Sequence, residues 1–327
     1  MADKQAVIIG AGVIGCAVGL QLSRKGYSVT LVDKNPEVGY GSTSNSCAVV
    51  RFSYSSLATT ALAYEGYHYW KDWANFLGVE DERGLAKYHE CGHLMIKSSP
   101  DDRPHVAEFY KQLNIPFEEW DNAYIHERLP LFNLKLCGPV VAVEDPNFWE
   151  VPENDGEVAG GVFAPNAGYI GDPQLATHNL RRAIEANGGQ FMLGQRVVGI
   201  DRQSGRVSAV RLESGETLTA DVVINASGPY SGKINEMAGV TSDMAVKTKA
   251  LRREVHHLPS PKSFDFEHQG VMTSDDDLYL YYRPETGNKV TVGSGDPPCD
   301  SQVWVDDPDN FNREFTESQW TAQVYRA

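Results

Sequence analysis

The stretch QAVIIGAGVIGCAVGLQLSRKGYSVTLVD, residues 5–33, decides the fold. Its apolar run 6–9 is long enough for a buried parallel strand and too short for a helix. A complete G-x-G-x-x-G follows at once, and apolar residues within 13–20 then recur at helical spacing. A second strand over 28–32 ends at Asp33. The stretch therefore predicts a strand, a glycine turn, a helix and a second strand, which is the opening of a Rossmann-like α/β domain.

The glycines of this turn suit a bound dinucleotide. Gly10 permits the tight turn, Gly12 leaves room for a pyrophosphate against the backbone, and Gly15 lets the helix pack close to the strand. The helix N-terminus offers unpaired N–H groups and a partial positive charge to the phosphates. Asp33 can accept hydrogen bonds from a ribose diol, which favours FAD or NAD over NADP. The predicted cofactor contacts here are Gly10, Gly12, Val13, Ile14, Gly15, Asp33 and Lys34.

Composition and charge disfavour several classes of protein. The chain has 327 residues, more than one core usually holds, so we expect two domains. A formal net charge of −15 disfavours nucleic acid as a partner. No apolar run approaches the ~20 residues of a membrane span. The first strand begins too soon after Met1 for a signal peptide, and five cysteines without a C-x-x-C fit reduced thiols. We therefore expect a cytoplasmic protein.

A run of small residues, GYGSTSNS at 39–46, follows the second strand. An NAD dehydrogenase usually continues its regular α/β alternation at this place. We interpret the run as a loop that adds hydrogen bonds to a pyrophosphate on the way to a flavin; a flexible surface loop is the alternative. The predicted contacts of this loop are Gly41, Ser42 and Thr43. Just past it, residues 48–54 bring the cation Arg51 and the phenol Tyr54.

The rest of the chain alternates between helical and strand patterns. Helices are predicted over residues 58–76, 103–113, 172–187 and 314–327. Strands are predicted over residues 88–97, 191–201, 205–212, 216–220, 221–225, 251–258, 278–282 and 289–292. The strand 221–225 runs into Ala226, Ser227 and Gly228, whose small side chains let the backbone pass close to a ligand.

One strand pattern raises the question of a metal. His89, Cys91 and His93 alternate along the predicted strand 88–97. Three ligands on one face of a strand would spread over roughly 13 Å. A single tetrahedral zinc ion cannot bridge that length without other donors. We therefore expect no metal site here.

Two pairs of segments carry a family resemblance. GAGVIGCAVGLQLSRKGYSVTLVD with GYGSTSNSCAVVRFSY, and GYIGDPQLATHNLRRAIEANGG with ADVVINASGPYS, resemble the FAD-dependent amine and amino-acid oxidoreductases of the D-amino-acid oxidase superfamily. The resemblance implies an FAD-binding domain at 1–87 and 157–240, a parallel sheet with helices and a β-meander. It implies an inserted α+β substrate domain with an antiparallel sheet at 88–156 and 241–310. Residues 311–327 would begin a return helix that stops short of the family's C-terminal part, and Val197 and Val198 would contact the adenine end.

The resemblance also implies a reaction and a set of residues. The C–N bond of a secondary amine or amino acid, of the sarcosine, dimethylglycine or D-amino-acid type, is oxidised by hydride transfer to flavin N5. Oxygen or another carrier then takes the electrons. A substrate carboxylate needs a fixed cation, and the arginine fork binds both oxygens. The predicted substrate-site residues are Arg51, Tyr54, Tyr281 and Arg283; the alternative for each is a surface, structural or core role.

Other functions stay open from the sequence. An FAD-dependent dehydrogenase of a 2-hydroxy acid belongs to the same superfamily. A catalytically inactive binding or scaffold chain is a third possibility, since the resemblance stops before the family's C-terminal part. NAD as the only nucleotide is disfavoured by the loop at 39–46.

Overall fold

The computed structural model describes residues 4–150 and 155–327. Its helices are α1 (Val13–Arg24), α2 (Leu57–Lys71), α3 (Trp73–Leu77), α4 (Pro104–Leu113), α5 (Asn122–Arg128), α6 (Pro173–Ala186), α7 (Ser231–Met237), α8 (Phe266–Gln269) and α9 (Glu317–Arg326). Its strands are β1 (Gln5–Ile9), β2 (Ser28–Asp33), β3 (Val49–Val50), β4 (Tyr88–His89), β5 (His93–Ile96), β6 (Glu118–Trp120), β7 (Gly161–Ala164), β8 (Gly168–Ile170), β9 (Gln190–Leu193), β10 (Val197–Gln203), β11 (Arg206–Leu212), β12 (Thr217–Thr219), β13 (Val222–Asn225), β14 (Ala250–Arg252), β15 (Val255–Pro259), β16 (Met272–Asp275), β17 (Leu280–Glu285), β18 (Lys289–Ser294) and β19 (Val303–Val305). In these ranges no helix has both the length and the apolar character needed to cross a bilayer.

A parallel sheet in the order β13-β1-β2-β9 confirms the predicted opening of the chain. The register pairs Ile9 with Val32 on one side and with Asn225 on the other. The carboxyl ends of these strands therefore meet at one edge of the sheet. This edge holds the glycine turn, Asp33 and the residues that follow β9 and β13, which is where open α/β sheets bind ligands.

Apolar side chains cover both faces of this sheet. On one face, α1 and α6 pack closely, since a Cβ on Gly19 would lie 3.2 Å from Leu31 and 3.3 Å from Ile184. On the other face, Val7 packs in one cluster with Val210 of the meander β10-β11-β12. A strand buried on both faces needs a continuous apolar run, which explains the sequence of β1.

The strand predicted over residues 191–201 is two strands in two sheets. β9 joins the parallel sheet, whereas β10 pairs antiparallel with β11. Gly194 separates them with a φ of +68°. That left-handed backbone conformation turns the chain out of the first sheet, so the single-strand prediction was wrong.

A second sheet has the order β15-β18-β17-β16-β5-β7-β6. All its neighbours are antiparallel except β16 and β5. Its inner face carries Met95, Val162 and Met272, which cluster with Tyr67 of α2 and Tyr110 of α4. β7 belongs to this sheet, which therefore extends past residue 157, where we expected the nucleotide-binding domain to resume.

Two more predicted strands are also divided. Residues 88–97 form β4 and β5, separated by Gly92 at φ +77°, and the two strands lie in different sheets. β4 pairs with β8, which also pairs with β3, so this small sheet contacts both larger units. Residues 251–258 form β14 and β15; β14 pairs with β19 instead of continuing in the large sheet.

The predicted helices begin and end close to their expected positions, whereas α5, α7 and α8 were not predicted. The helix expected at 58–76 is interrupted at Asp72 and continues as α3, which Gly78 ends at φ +69°. Asp172 caps α6 as expected, because its Oδ1 accepts a hydrogen bond from the amide of Leu175 at 2.8 Å. The last helix begins at Glu317, slightly later than predicted.

Candidate cofactor and substrate site

The glycine turn closes tightly against the end of β13. Gly10 has φ +108°, and a Cβ there would lie 2.3 Å from the carbonyl oxygen of Ala226. A Cβ on Gly15 would lie 1.9 Å from the carbonyl oxygen of Gly10. The amide of Ala226 donates to the carbonyl of Ile9 at 2.9 Å, which fixes this approach. The fold itself therefore requires both glycines, whatever binds beside them.

The first turn of α1 is open to an anionic ligand. Gly12 is its N-cap and supplies no side-chain cap. The amide of Val13 donates to Thr43 Oγ1 at 3.2 Å. A Cβ on Gly12 would lie 3.1 Å from the same oxygen and within 4 Å of no other described atom outside its immediate chain neighbours. First-turn amides have no acceptor inside their own helix and carry partial positive charge, so this geometry fits a pyrophosphate.

The small-residue loop at 39–46, which we call the cofactor loop, lies over this turn. The amide of Gly39 donates to the carbonyl of Ala11 at 2.9 Å and docks the loop on the glycine turn. Gly41 and Ser42 are exposed, and a Cβ on Gly41 would meet no described atom within 4 Å outside its chain neighbours. The side chain of Ile14 is also free of the core, with 70% of its surface exposed. The loop residues predicted to contact the cofactor therefore lie beside the predicted contact residues of the glycine turn.

Asp33 is held at the edge of the sheet by two backbone amides. Its Oδ2 accepts from Ala11 at 2.8 Å and its Oδ1 accepts from Asn35 at 2.8 Å. The carboxylate is half-buried, so it is not turned away into solvent. Each carboxylate oxygen can accept more than one hydrogen bond, which leaves capacity for the two hydroxyls of a ribose.

The residues predicted for the adenine end lie at the same edge. Val197 is buried in the meander core, whereas Val198 has 43% of its surface exposed. Lys34 follows Asp33 and contacts Tyr230 and Asp309 with its ammonium group. The structure therefore places the predicted ribose and adenine segments side by side.

The turn after β13 is stiffened by its own side chains. Ser227 Oγ donates to Asn225 Oδ1 at 2.6 Å, and the side-chain Nδ2 of Asn225 donates to the carbonyl of Ser231 at 2.9 Å. Gly228 has φ +56°, and a Cβ there would have no atom of the described residues within 4 Å apart from its chain neighbours. This leaves an open backbone surface facing away from the strand.

Arg51 lies just past the cofactor loop and has donors to spare. Its NH1 donates to the carbonyl oxygen and, at 3.1 Å, to Oγ of Ser53. The guanidinium carbon lies 4.5 Å from the centre of the Tyr54 ring. The other two guanidinium nitrogens donate no hydrogen bond to the described residues. The group is thus oriented by its neighbours while part of the fork remains for a carboxylate.

Tyr281 joins the second sheet to the cofactor loop. Its hydroxyl lies 3.8 Å from Sγ of Cys47, which follows the loop. The Tyr281 ring packs on Gly293 of the adjacent strand. A Cβ on Gly293 would lie 2.1 Å from Cζ of Tyr281. Burial raises the pKa of Tyr281, and Cys47 adds to that effect. The inner face of the sheet therefore meets the loop through an un-ionised phenol.

Arg283 lies on the same face as Tyr281 but is engaged differently. It is buried, and its NH1 and NH2 donate to Pro284 O at 2.7 Å and to Glu285 Oε2 at 2.8 Å. Its guanidinium carbon lies 4.3 Å from the ring centre of Tyr169. These contacts brace the second sheet against β8, which is the structural role that we gave as its alternative.

His93 is a site-facing residue that the sequence did not identify as such. It is buried on the inner face, and its Nε2 lies 2.8 Å from Oγ of Ser274. Nδ1 is buried and has no hydrogen-bond partner within the described part of the chain. Burial, followed by the charges of Arg51 and Arg103, lowers the pKa of His93 to about 3, so the ring is neutral. Alternation placed His93 on a strand, but Ser274 is too distant in sequence for any local pattern to pair them.

The structure separates the histidines that raised the question of zinc. His89 stacks on Tyr169 in the small sheet, whereas His93 lies in the large one. Elsewhere, Asp81 and Glu82 approach His178 closely enough to hold an ion. Asp81 Oδ2 already accepts from His178 Nδ1 at 2.8 Å and from an amide side chain of α6 at 2.7 Å. This group is satisfied as a hydrogen-bonded brace of the loop before β4.

Two cavities lie on opposite sides of the second sheet. One of about 180 Å³ is lined by Arg253, Tyr281 and Asp296, next to α9. The other, of about 1050 Å³, is lined mainly by apolar side chains, including Tyr282 and Val292. Neighbouring residues of a strand point to opposite faces. The larger cavity therefore lies behind the sheet, away from Tyr281 and the cofactor loop.

These features define a class: a nucleotide-binding α/β domain with an antiparallel sheet stacked against its cofactor loop. A family model described as DAO, FAD dependent oxidoreductase, matches residues 5–326. The chain therefore belongs to this family of FAD-dependent oxidoreductases, which confirms the resemblance and identifies FAD as the cofactor.

Individual relatives are distant and carry different activities. An L-2-hydroxyglutarate dehydrogenase of Indibacter alkaliphilus is 23% identical over 273 residues, 80% of this chain and 59% of the relative. A D-amino acid dehydrogenase of Granulibacter bethesdensis is 22% identical over 338 residues, 88% of this chain and 74% of the relative. The structure of L-proline dehydrogenase from P. horikoshii has a TM-score of 0.77 and 17% identity, over 99% of this chain and 76% of that one. The last likeness shows the fold alone.

Proposed function

We propose that this chain contains the FAD site and the substrate sheet of an enzyme that oxidises the C–N bond of a secondary amine or amino acid. The contact between Cys47 and Tyr281 is the observation that carries the proposal. It brings the inner face of the antiparallel sheet against the loop that covers the glycine turn. A substrate held on that face would lie beside the reactive end of the cofactor.

The chain's own residues would hold FAD at the carboxyl edge of the parallel sheet. The open first turn of α1 and Thr43 suit the pyrophosphate, and Asp33 suits the ribose diol. Ala226 and Gly228 offer backbone without obstructing side chains. When bound, FAD accepts the two electrons and the hydrogen that leave the carbon next to nitrogen, and the protein contributes position and charge.

Arg51 would bind the carboxylate of an amino-acid substrate. Ser53 and Tyr54 fix the orientation of its guanidinium, and the unused nitrogens can form a bidentate pair. Tyr281 would line the pocket on the opposite side. His93 is held neutral and buried nearby, so it adds no competing positive charge.

Anaerobic reduction of the bound flavin tests the proposal. The purified chain, loaded with FAD, is mixed with sarcosine, L-proline, D-amino acids and glycine, and absorbance is followed near the main flavin band. Bleaching by at least one of these amines supports C–N oxidation. A flavin that is stable to all amines and is bleached by 2-hydroxyglutarate would overturn it.

Substitution of Arg51 separates its role from general folding. R51Q should raise KM for a carboxylate-bearing amine by roughly 10–100-fold, because a charge-assisted bidentate pair is lost. R51K retains charge without the fork and should fall between R51Q and wild type. An amine that lacks a carboxylate serves as the control, since its KM should not change.

A 2-hydroxy-acid dehydrogenase is the second candidate. The similarity to an L-2-hydroxyglutarate dehydrogenase over 80% of this chain favours it, and Arg51 suits a carboxylate of either substrate class. The same reduction assay distinguishes the two candidates. If FAD does not bind at all, the third candidate, a catalytically inactive scaffold, is supported instead.

Three further features belong to this proposal. We propose that oxygen or another carrier reoxidises the flavin, and that the enzyme works in the cytoplasm. The domain division at 1–87 with 157–240, and 88–156 with 241–310, also stays a prediction, and β7 departs from it because it pairs in the large sheet. Limited proteolysis with and without FAD addresses the division, because cofactor should protect the first pair of segments most.

A further inference from the structure

Four polar side chains form a network at the edge of the parallel sheet. Asp309 Oδ2 accepts from Arg196 NH1 at 2.9 Å, and Asp309 Oδ1 accepts from the hydroxyl of Tyr230 at 2.5 Å. Lys34 contacts both Asp309 and Tyr230, and its Nζ lies 3.8 Å from the centre of the Tyr230 ring. One carboxylate thus binds three donors from three different segments.

Each of these donors adjoins a segment that we assign to the cofactor. Lys34 directly follows Asp33 at the end of β2, and Arg196 directly precedes Val197 at the start of β10. Tyr230 lies in the turn that begins at Gly228 after β13. These segments are far apart in the chain, and Asp309 joins them on one side of the adenosine end.

Asp309 itself comes from a remote part of the chain. It lies between β19 and α9, and β19 pairs with β14, so the loop is anchored at its base. Asp307 in the same loop pairs with Lys233 of α7 at 3.2 Å. We call residues 306–309 the acidic loop.

The electrostatics agree with this geometry. Burial alone would raise the pKa of Asp309, but hydrogen bonds from Lys34, Tyr230 and Arg196 hold it well below its ordinary value. The carboxylate is therefore ionised across the physiological range. Its side chain is only partly exposed, as is that of Lys34, so the pair is less screened than a fully solvated one.

We propose that Asp309 is a positioning residue for FAD. Its hydrogen bonds to Lys34, Arg196 and Tyr230 hold the three cofactor segments together around the adenosine end, and we call this arrangement the clasp. This inference rests on the proposed cofactor site. Asp309 need not touch the cofactor. It holds Lys34 and Arg196 against the nucleotide edge, so the ribose and adenine segments keep their spacing before the cofactor arrives.

A simple charge argument gives the opposite expectation, which makes the proposal testable. FAD is an anion, so removing a nearby negative charge should by itself strengthen its binding. Loss of the clasp should weaken binding, because the segments lose their common partner. The sign of the change therefore decides between the two effects.

The experiment measures FAD affinity of the full chain by equilibrium dialysis. D309N keeps the size of the side chain and removes its charge, and it should raise Kd by about tenfold or more. D306N is the matched control, because Asp306 lies in the same loop, is 94% exposed and only approaches Lys249 at 3.8 Å. Its Kd should stay within twofold of wild type.

Two more measurements separate positioning from structural damage. ADP occupies only the adenosine end and should lose affinity by the same factor as FAD. Because Asp309 is partly buried and binds three donors, D309N should lower the unfolding midpoint without FAD, while an unchanged far-UV circular dichroism spectrum shows that Kd is measured on a folded chain. R196Q removes a different member and should weaken FAD similarly, and the double variant should not add to the larger single effect.

An unchanged or lower Kd for D309N overturns the clasp while leaving the proposed function intact. Failure of the wild-type chain to bind FAD overturns both. If D309N does not fold, R196Q decides by the same criteria.

Discussion

Three glycines of one turn have different physical roles in this structure. Gly10 and Gly15 are needed by the protein itself, since a Cβ on either would overlap a backbone carbonyl. Gly12 has an ordinary backbone conformation and faces the side chain of Thr43. The motif G-x-G-x-x-G therefore combines two glycines that build the turn with one that leaves space for a ligand.

Gly15→Ala should lower the free energy of unfolding by about 3 kcal/mol or prevent folding, because its Cβ would lie 1.9 Å from the carbonyl oxygen of Gly10. Gly41→Ala is the control, since a Cβ there meets nothing within 4 Å. Urea denaturation followed by far-UV circular dichroism measures both. Equal stabilities for the two variants would contradict the close approach.

His93 should make the stability of the chain depend on pH in the acid range. Its folded pKa is about 3, below the ordinary value of about 6.5, so the unfolded chain binds a proton first as pH falls. The stabilisation is complete above pH 6.5 and is lost progressively as pH falls towards 3. The pKa difference of about 3.5 corresponds to roughly 5 kcal/mol at the acid limit.

His93→Gln should flatten the dependence of unfolding free energy on pH between 6.5 and 4. His257→Gln is the control, because the side chain of His257 is about half exposed. Denaturant midpoints at several pH values give the slopes. Equal slopes for wild type and His93→Gln would show that His93 is not buried in its neutral form.

Local sequence was sufficient for residues that act through their backbone or their position in a motif. The glycines, Asp33 and Thr43 lie at the predicted edge. His93 and Asp309 were not predicted as site residues, because their partners come from distant segments. A hydrogen bond between side chains of distant segments produces no periodic pattern in the sequence of either segment.

At the scale of elements, glycines with positive φ account for the main errors. Gly92 and Gly194 each divide a predicted strand into two strands that enter different sheets. Residues typical of strands continue on both sides of each glycine, so the sequence pattern alone did not show the break. A glycine inside an alternating run can mark a change of sheet, and only the tertiary pairing shows which sheet receives each half.

The cap of α6 gives a test at this scale. Asp172→Ala removes the acceptor for the amide of Leu175 and should lower the free energy of unfolding by about 1 kcal/mol. Asp172→Asn keeps an oxygen acceptor and should lose only a fraction of that amount. Thermal or urea unfolding measures both variants. A larger loss for asparagine than for alanine would contradict the assignment of the cap.

At the scale of the whole molecule, a small sheet links the two large ones. β8 pairs with β3, which follows the cofactor loop, and with β4, which leads into the second sheet. Arg283 and Tyr169 reinforce this connection. Composition and motifs predicted the two units, but the linking sheet consists of strands too short for any sequence pattern.

The proposed FAD site is formed by several distant segments, so bound FAD should stabilise the whole molecule. At a free concentration one hundred times Kd, FAD should add about 2.7 kcal/mol to the free energy of unfolding. The thermal midpoint should therefore rise by several degrees as FAD is added, and AMP at the same concentration should raise it less. A midpoint independent of FAD would contradict the assigned site.

Equilibrium dialysis of FAD against Gly12→Ala tests the central claim most directly. Among the described residues beyond its chain neighbours, the added methyl group meets only Thr43 Oγ1, at 3.1 Å, so the fold should be retained, while the space assigned to the pyrophosphate is filled. We predict wild-type circular dichroism with a loss of FAD affinity of at least tenfold. Wild-type affinity in a folded Gly12→Ala would show that the cofactor does not lie against this turn.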